Sequence, residues 1–200
     1  PPLDVRTHIV RGRYGEDTDR NGQFKLMHDA AVSLAEASRE KRESIDARVA
    51  VAKEIVDSDP EAHFLLWHDL EAERHAICKT LPDTVDIYGS MDYAEREKRV
   101  IDFSEGRCRL FATKKSLSGS GCNFQRHCHR AIFIGIDYEF NDFIQAVHRI
   151  YRFLQTKQVV IDIIYTAAED PIYRVLMEKW KQHEYLQGKM REIVQKYGLS

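Results

Sequence analysis

The order of apolar and polar positions divides the chain into a helical opening, an alternating middle and a helical tail. Residues 24–57 carry Leu26, Ala30, Leu34 and Ala37 on one face and Val49, Ala52, Ile55 and Val56 on another. Spacings of three and four place such residues on one side of a helix. The charged run SREKRESIDAR breaks the pattern, so two helices are predicted. Ahead of them, Thr7 to Val10 reads as a strand or arm, and the polar run to about Gly22 reads as a turn.

After Pro60 the pattern alternates. HFLLW precedes a helix from Leu70 to Leu81, TVDIY precedes a helix from Tyr93 to Phe103, and CRLFAT and RAIFIGI follow. NDFIQAVHRIYRFL then reads as a helix and QVVIDIIYT as a strand. Short apolar strands separated by amphipathic helices predict an α/β fold, a mostly parallel sheet with helices on both faces. From Ala168 to Tyr197 the chain is helical and charged, with Ile172, Val175, Leu176, Lys179 and Trp180 three and four apart. This tail packs on the sheet or reaches a missing partner. The predicted organisation is a lead-in strand and helix over 1–45, a lobe over 46–167 and a helical extension over 168–200.

Composition narrows the function. Two hundred residues at 43% hydrophobic content suit one α/β domain with an appendage. Lys and Arg total 30 against 32 acids, a net charge of -2, so any nucleic-acid contact is local. Cys78, Cys108, Cys122 and Cys128 show no regular spacing, which suits reduced thiols in a cytoplasmic protein. No apolar run approaches the roughly 20 residues needed to cross a bilayer, so no membrane association is expected. The opening PPLDV, without an initiator Met, points to a fragment of a longer polypeptide.

The chemistry concentrates in QAVHRIYRFLQ, Gln145 to Gln155. On a helix, Ile144, Val147, Tyr151 and Leu154 would form a buried stripe, with Gln145, Arg149 and Arg152 together on the other side. Two guanidinium groups one turn apart make a fork of permanently charged donors for phosphate oxygens, and charge developing on a transferred phosphoryl group needs such donors. An Arg pair on a helix is ordinarily a solvated face. Here the helix follows a strand, which predicts a place near the carboxyl edge of the sheet, where such folds bind ligands. Trp67, His68 and Asp69 end a strand at the same edge. Either they border the pocket, or Trp67 is core and Asp69 caps the next helix.

Several classes are excluded. GxxxxGK[ST] is absent, so the phosphate-cradling loop is missing. GSGCNF puts Phe124 where a dinucleotide fingerprint needs its third glycine. HEYLQ, from His183, lacks the second His of a metalloprotease helix, and no GxSxG occurs. Cys122, His127, Cys128 and His129 are zinc-type ligands, but their spacing matches no standard knuckle, and no metal site is assigned.

QAVHRIYRFLQ resembles motif VI of superfamily-two helicases in its Swi/Snf form. GSMDYAEREKRVIDF, Gly89 to Phe103, is similar to that family's Gly-Ser, Glu-Arg and terminal Phe pattern; TKKSLSGSGCNFQ, Thr113 to Gln125, resembles motif V, and HFLLWHDL resembles motif IV. Four motifs run in order from about Asp46 to Thr166, and phage and mobile-element helicase-like proteins share the His-Cys-His cluster as well. His148 stands where the pattern has Asp, and Leu154 where it has Gly. The resemblance implies the second, C-terminal RecA-like lobe of a DNA translocase. Arg152 would be the arginine finger, Arg149 a second phosphate contact, and Gln145, Gly121 and Asn123 nucleotide-side groups. Thr113, Lys114 and Lys115 would meet the DNA backbone. ATP and Mg would be bound mainly by a first lobe of the same polypeptide, without which hydrolysis would be negligible. A phage or mobile-element setting, with association with a DNA methylase, is also implied. The rival readings are a degenerate lobe that only binds DNA or protein, and an RNA helicase lobe.

Overall fold

The computed structural model describes residues 2–10, 30–117 and 122–198. In chain order the elements are β1 (Leu3–Val10), α1 (Ala30–Glu43), α2 (Ile45–Asp57), β2 (His63–His68), α3 (Glu71–Thr80), β3 (Thr84–Asp86) and α4 (Tyr93–Ser104). Then come β4 (Leu110–Lys114), β5 (Cys128–Ile134), α5 (Phe140–Val147), β6 (Val159–Thr166), a short 3-10 turn (Ala167–Glu169) and α6 (Asp170–Tyr197). The six described strands form one sheet in the order β1-β6-β5-β2-β4-β3. Every pairing is parallel. The predicted lead-in strand is therefore a full member of the sheet, its Leu3 to Val10 paired along the whole of β6.

Two apolar layers follow from the two-residue period of the strands. Phe64, Leu66, Ile132, Ile134 and Ile164 face α2 and α3, packing with Val49, Ala52, Val56 and Ile77. Leu65, Trp67, Ala131, Phe133, Ile161 and Ile163 face the other way, onto Phe103, Phe143, Val147, Leu176 and Trp180 of α4, α5 and α6. β6 is buried along all eight residues. Its one acid, Asp162, is held by His8 at 2.8 Å and by Arg130 at 3.4 Å. Burial of both faces is why these strands read as near-continuous apolar runs.

α6 begins with Pro171 in its first turn, where the missing N–H costs nothing. It lays Ile172, Leu176 and Trp180 on the sheet layer. Beyond Trp180 the helix leaves the core, and Tyr185, Leu186, Met190 and Ile193 are exposed. No described helix is long and apolar enough to cross a membrane.

Because all strands run the same way, the sheet has one edge of strand starts and one of strand ends. The seven residues of β5 separate the two edges by about 20 Å at ~3.3 Å per residue.

Candidate functional site

α5 stops at Val147, short of the predicted helix end. Arg149 N–H donates to Ala146 O at 3.2 Å and Ile150 N–H to Val147 O at 3.2 Å, so the chain tightens and turns off. Ile150, at 0% exposure, takes the core place expected of Leu154, which is 62% exposed. Gln155 holds the turn. Its buried side-chain amide donates to Cys128 O at 3.0 Å and Ile150 O at 3.2 Å, and its carbonyl accepts from Lys157 N–H at 3.0 Å. Arg149 and Arg152 therefore lie on a post-helical turn and not on a helix face.

That turn is at the amino edge of the sheet, beside the start of β5, and not at the carboxyl edge expected from the sequence. The reversal follows from topology: α5 runs back from the end of β5 to the start of β6. Here the segment before β5 meets it. Phe124 N–H donates to Arg149 O at 3.1 Å, and Ser104 Oγ donates to Asn123 O at 3.1 Å. Arg149 Nη1 reaches Cys122 O at 3.5 Å, and Arg152 Nη1 donates to the Asn123 side-chain carbonyl. Arg152 is exposed; Arg149 is half-buried, and its Nε is enclosed without a hydrogen-bond partner. Gln145 is exposed on α5. Gly121 lies outside the described residues.

The other predicted residues are at the opposite edge. Thr113 is fully buried and its hydroxyl donates to Lys114 O at 3.2 Å, so its side chain does not face a ligand. Lys115, 6% exposed at its side chain, bridges Asp69 at 3.0 Å and Asp137 at 2.6 Å, while Lys41 from α1 reaches Asp69 at 2.5 Å. Burial alone would raise the Asp69 carboxyl, but the Lys41 and Lys115 charges overcome it and hold the group at about 2. The same two carboxylates raise Lys115 against the opposing effect of its burial. Asp69 is thus a lysine clamp and not a helix cap. The cap of α3 comes from Glu73, which accepts from Asp69 N–H at 2.8 Å and Leu70 N–H at 2.9 Å.

Beneath this network lies Arg48, 0% exposed, paired with the equally buried Glu73 at 3.1 Å. Its guanidinium also donates to Ile134 O, Ser44 Oγ and Lys41 O. Burial raises the Glu73 carboxyl, with Arg48 and Lys41 opposing. Trp67 is core, and His68 is 1% exposed with neither ring nitrogen bonded. Burial pushes that imidazole down to about 4.

Lys114 is the outward member of the strand-end pair. It contacts Glu71 at 2.7 Å and lines a cleft of about 660 Å³ with Arg74, Gly89, Ser90, Ser116 and Glu71. Hydrogen bonds from Lys114 and Arg74 hold Glu71 at about 2. Sequence reasoning missed Arg74; Ser90 and Ser116 were visible only as parts of the Gly-Ser and motif V-like segments. Among the described residues no three His, Cys, Asp or Glu side chains converge as a metal centre would need. Cys128 Sγ points at His63 O and Arg130 O, and burial pushes its thiol up to about 12.

The all-parallel sheet, its flanking helices and the long final helix make a RecA-like α/β fold, the fold of the helicase lobes among the solved structures similar to it. Neither a family model nor a curated protein matches the chain. Among solved structures, the C-terminal part of the Fun30 ATPase domain is similar at 21% identity and a TM-score of 0.55, covering 75% of this chain and 47% of that one. S. cerevisiae Dbp5 bound to Gle1 and IP6 is similar at 12% identity and a TM-score of 0.63, over 89% of this chain and 39% of that one. Domain 2 of the DEAD-box helicase Mss116p, bound to an RNA duplex, is similar at 14% identity and a TM-score of 0.59, over 88% and 59%. The chain thus spans about half or less of the first two. At these identities the likeness establishes the fold.

Proposed function

We propose that this chain is the second motor lobe of an ATP-dependent superfamily-two helicase or translocase acting on DNA, with Arg152 as arginine finger and Arg149 as a second phosphate contact. The observation that carries it is the junction of the motif V-like and motif VI-like segments. Asn123 and Arg152, 29 residues apart, meet side chain to side chain on an open sheet edge, beside Arg149. A buried donor without an acceptor is costly, and the enclosed Arg149 Nε lacks one. That atom is closed to an incoming ligand, so it is the exposed Arg152 guanidinium, beside half-buried Arg149, that fits a polyphosphate.

ATP with its Mg would be held by a first lobe and would supply the phosphoryl group. This chain's part is to position two guanidinium groups against the charge that develops during transfer. Asn123 orients Arg152, while Gln145 and Gly121 keep the nucleotide-side roles that the resemblance implies. The lobe proper runs over 46–167 with β1 at its edge, and α6 extends it.

At the carboxyl edge, Lys114, Arg74 and the Ser90 and Ser116 hydroxyls suit a sugar-phosphate backbone read without sequence preference. Glu71 is 49% exposed at its side chain and already binds both cations, so a phosphate can replace it. Thr113 and Lys115, turned inward, support this edge. The Swi/Snf-like form of motif VI favours duplex DNA, and the phage or mobile-element setting, beside a DNA methylase in the cytoplasm, rests on the same resemblance.

The test is nucleic-acid-stimulated ATP hydrolysis by the polypeptide that joins this lobe to its phosphate-loop lobe, wild type against Arg152→Ala, with circular dichroism confirming the fold. A loss of about a thousandfold is expected, the scale of an arginine finger. Unchanged hydrolysis in the folded variant would leave a lobe that binds without catalysing. Stimulation by duplex DNA, single strands and RNA in parallel identifies the polymer.

A further inference from the structure

Arg152 is followed by an apolar tip that the lobe itself does not use. Phe153, at 85% exposure, is the most exposed of the described large apolar side chains, and Leu154 beside it is 62% exposed. The tip has a fixed base. The three side-chain hydrogen bonds of Gln155 and the bond from Gln155 N–H to Arg152 O at 3.2 Å tie it to the start of β5 and to buried Ile150. Leu154 is also the one described non-glycine residue with a positive φ, at 72°. A branched aliphatic residue is strained there, whereas glycine adopts that conformation freely. Strained residues persist where surrounding structure imposes them, and they cluster at functional sites.

Within this lobe neither residue choice is rewarded, since Phe153 and Leu154 bury little and Leu154 strains the turn. We infer that the two side chains form a docking knob that seats in an apolar recess of the nucleotide-holding first lobe, so that burial of the knob and delivery of Arg152 are a single event. The inference rests on the motor-lobe reading. Two observations select the occupant. The knob adjoins Arg152 in sequence and shares its rigid turn, so whatever receives one receives the other. It also lies at the edge opposite Lys114 and Arg74, and a phosphate backbone offers no apolar surface to repay its desolvation.

The test uses the two-lobe polypeptide carrying Phe153→Ser with Leu154→Gly, beside wild type and Arg152→Ala. Lobe closure is followed by energy transfer between fluorophores on the two lobes as a non-hydrolysable ATP analogue is added, and KM and kcat are measured with ATP. In the double variant, half-maximal closure should need at least about tenfold more analogue. KM for ATP should rise in step and kcat should change less than about threefold, since Arg152 is intact once closure is forced. Phe153→Leu should stay close to wild type. A melting temperature at or above wild type, expected from the released strain, excludes misfolding as the cause.

Closure and KM within twofold of wild type in the double variant overturn the knob. If Arg152→Ala still abolishes hydrolysis, the knob alone falls; if it does not, the motor-lobe reading falls too. Lost nucleic-acid binding with unchanged closure also overturns the knob and assigns the tip to the nucleic acid.

Discussion

Gly135 is the position where one methyl group should do most damage. Its φ is 104°, and a Cβ there would overlap the Arg48 guanidinium while standing 2.8 Å from Lys41 Cε and 3.3 Å from Glu73 Oε1. An arginine tip ordinarily moves aside at little cost. Arg48 does not, because it is fully buried and its donors are committed to Ile134 O, Ser44 Oγ, Lys41 O and Glu73. Gly135→Ala therefore adds backbone strain of about 1–3 kcal/mol to the loss of a buried ion pair, worth about 3–5 kcal/mol when one partner is displaced. About 5 kcal/mol is a large share of the 5–15 kcal/mol typical of a domain. Urea unfolding followed by circular dichroism at pH 7 reads it directly. Arg48→Met with Glu73→Leu is the informative background, since it replaces the pair by apolar groups. There Gly135→Ala should cost only the strain and the shift of Lys41, a coupling of about 3 kcal/mol. A cost below about 1 kcal/mol, or the same cost in both backgrounds, would refute the reasoning.

Four further outcomes follow from individual side chains. The His68 imidazole titrates at about 4 in the fold against an ordinary 6.5. Between those values the unfolded chain binds a proton that the folded one does not, so stability falls as pH drops, by up to about 3 kcal/mol near pH 4. Urea midpoints at pH 7, 5.5 and 4.5 should show this slope in wild type, and His68→Leu should lose most of it. Leu154→Gly should raise stability by about 0.5–1 kcal/mol, as released strain exceeds the added freedom of the unfolded chain; a lower unfolding midpoint counts against a strained turn. Lys114→Ala should reduce the salt dependence of nucleic-acid binding by about one phosphate contact. Lys115→Met should leave that slope alone and destabilise the fold by about 2 kcal/mol, since it takes the cation from Asp137 and leaves Asp69 with Lys41 alone. A salt slope carried by Lys115 would reverse the roles given to the two lysines.

The strands and most helices were legible because each is a local pattern. The Leu65, Trp67 and Phe64, Leu66 alternation, for example, assigns the faces of β2 without reference to any other element. The end of α5 was not. Ile144 and Val147 fit both the stripe that continues to Tyr151 and Leu154 and the one that turns inward at Ile150. What decides between them is Gln155 bonding back to Cys128, 27 residues earlier. β1 was legible as a strand but not as part of the sheet, since its partner β6 begins more than 150 residues away. Lys41, Asp69, Lys115 and Asp137 come from four separate stretches, and each looks like an ordinary surface charge until the carboxyl edge gathers them.

Under the roles proposed above, the position of Arg152 at the amino edge sets what the lobe would have to do mechanically. Had the arginines lain with Lys114 at the strand ends, nucleotide and nucleic acid would have shared one surface, and one could have acted on the other through direct charge. With the two groups at opposite edges, about 20 Å of close-packed sheet lies between them, well beyond a Debye length of about 8 Å at physiological salt. Screened electrostatics along the surface is then a weak messenger. The packed route that remains is the sheet itself, whose strands are buried on both faces. A rigid lobe transmits a rotation as a whole, so the proposed closure on a nucleotide at one edge would displace Lys114 and Arg74 at the other without any change inside the lobe. Under the proposed motor role, the buried Arg48–Glu73 pair and the lysine clamp would serve by keeping the lobe stiff.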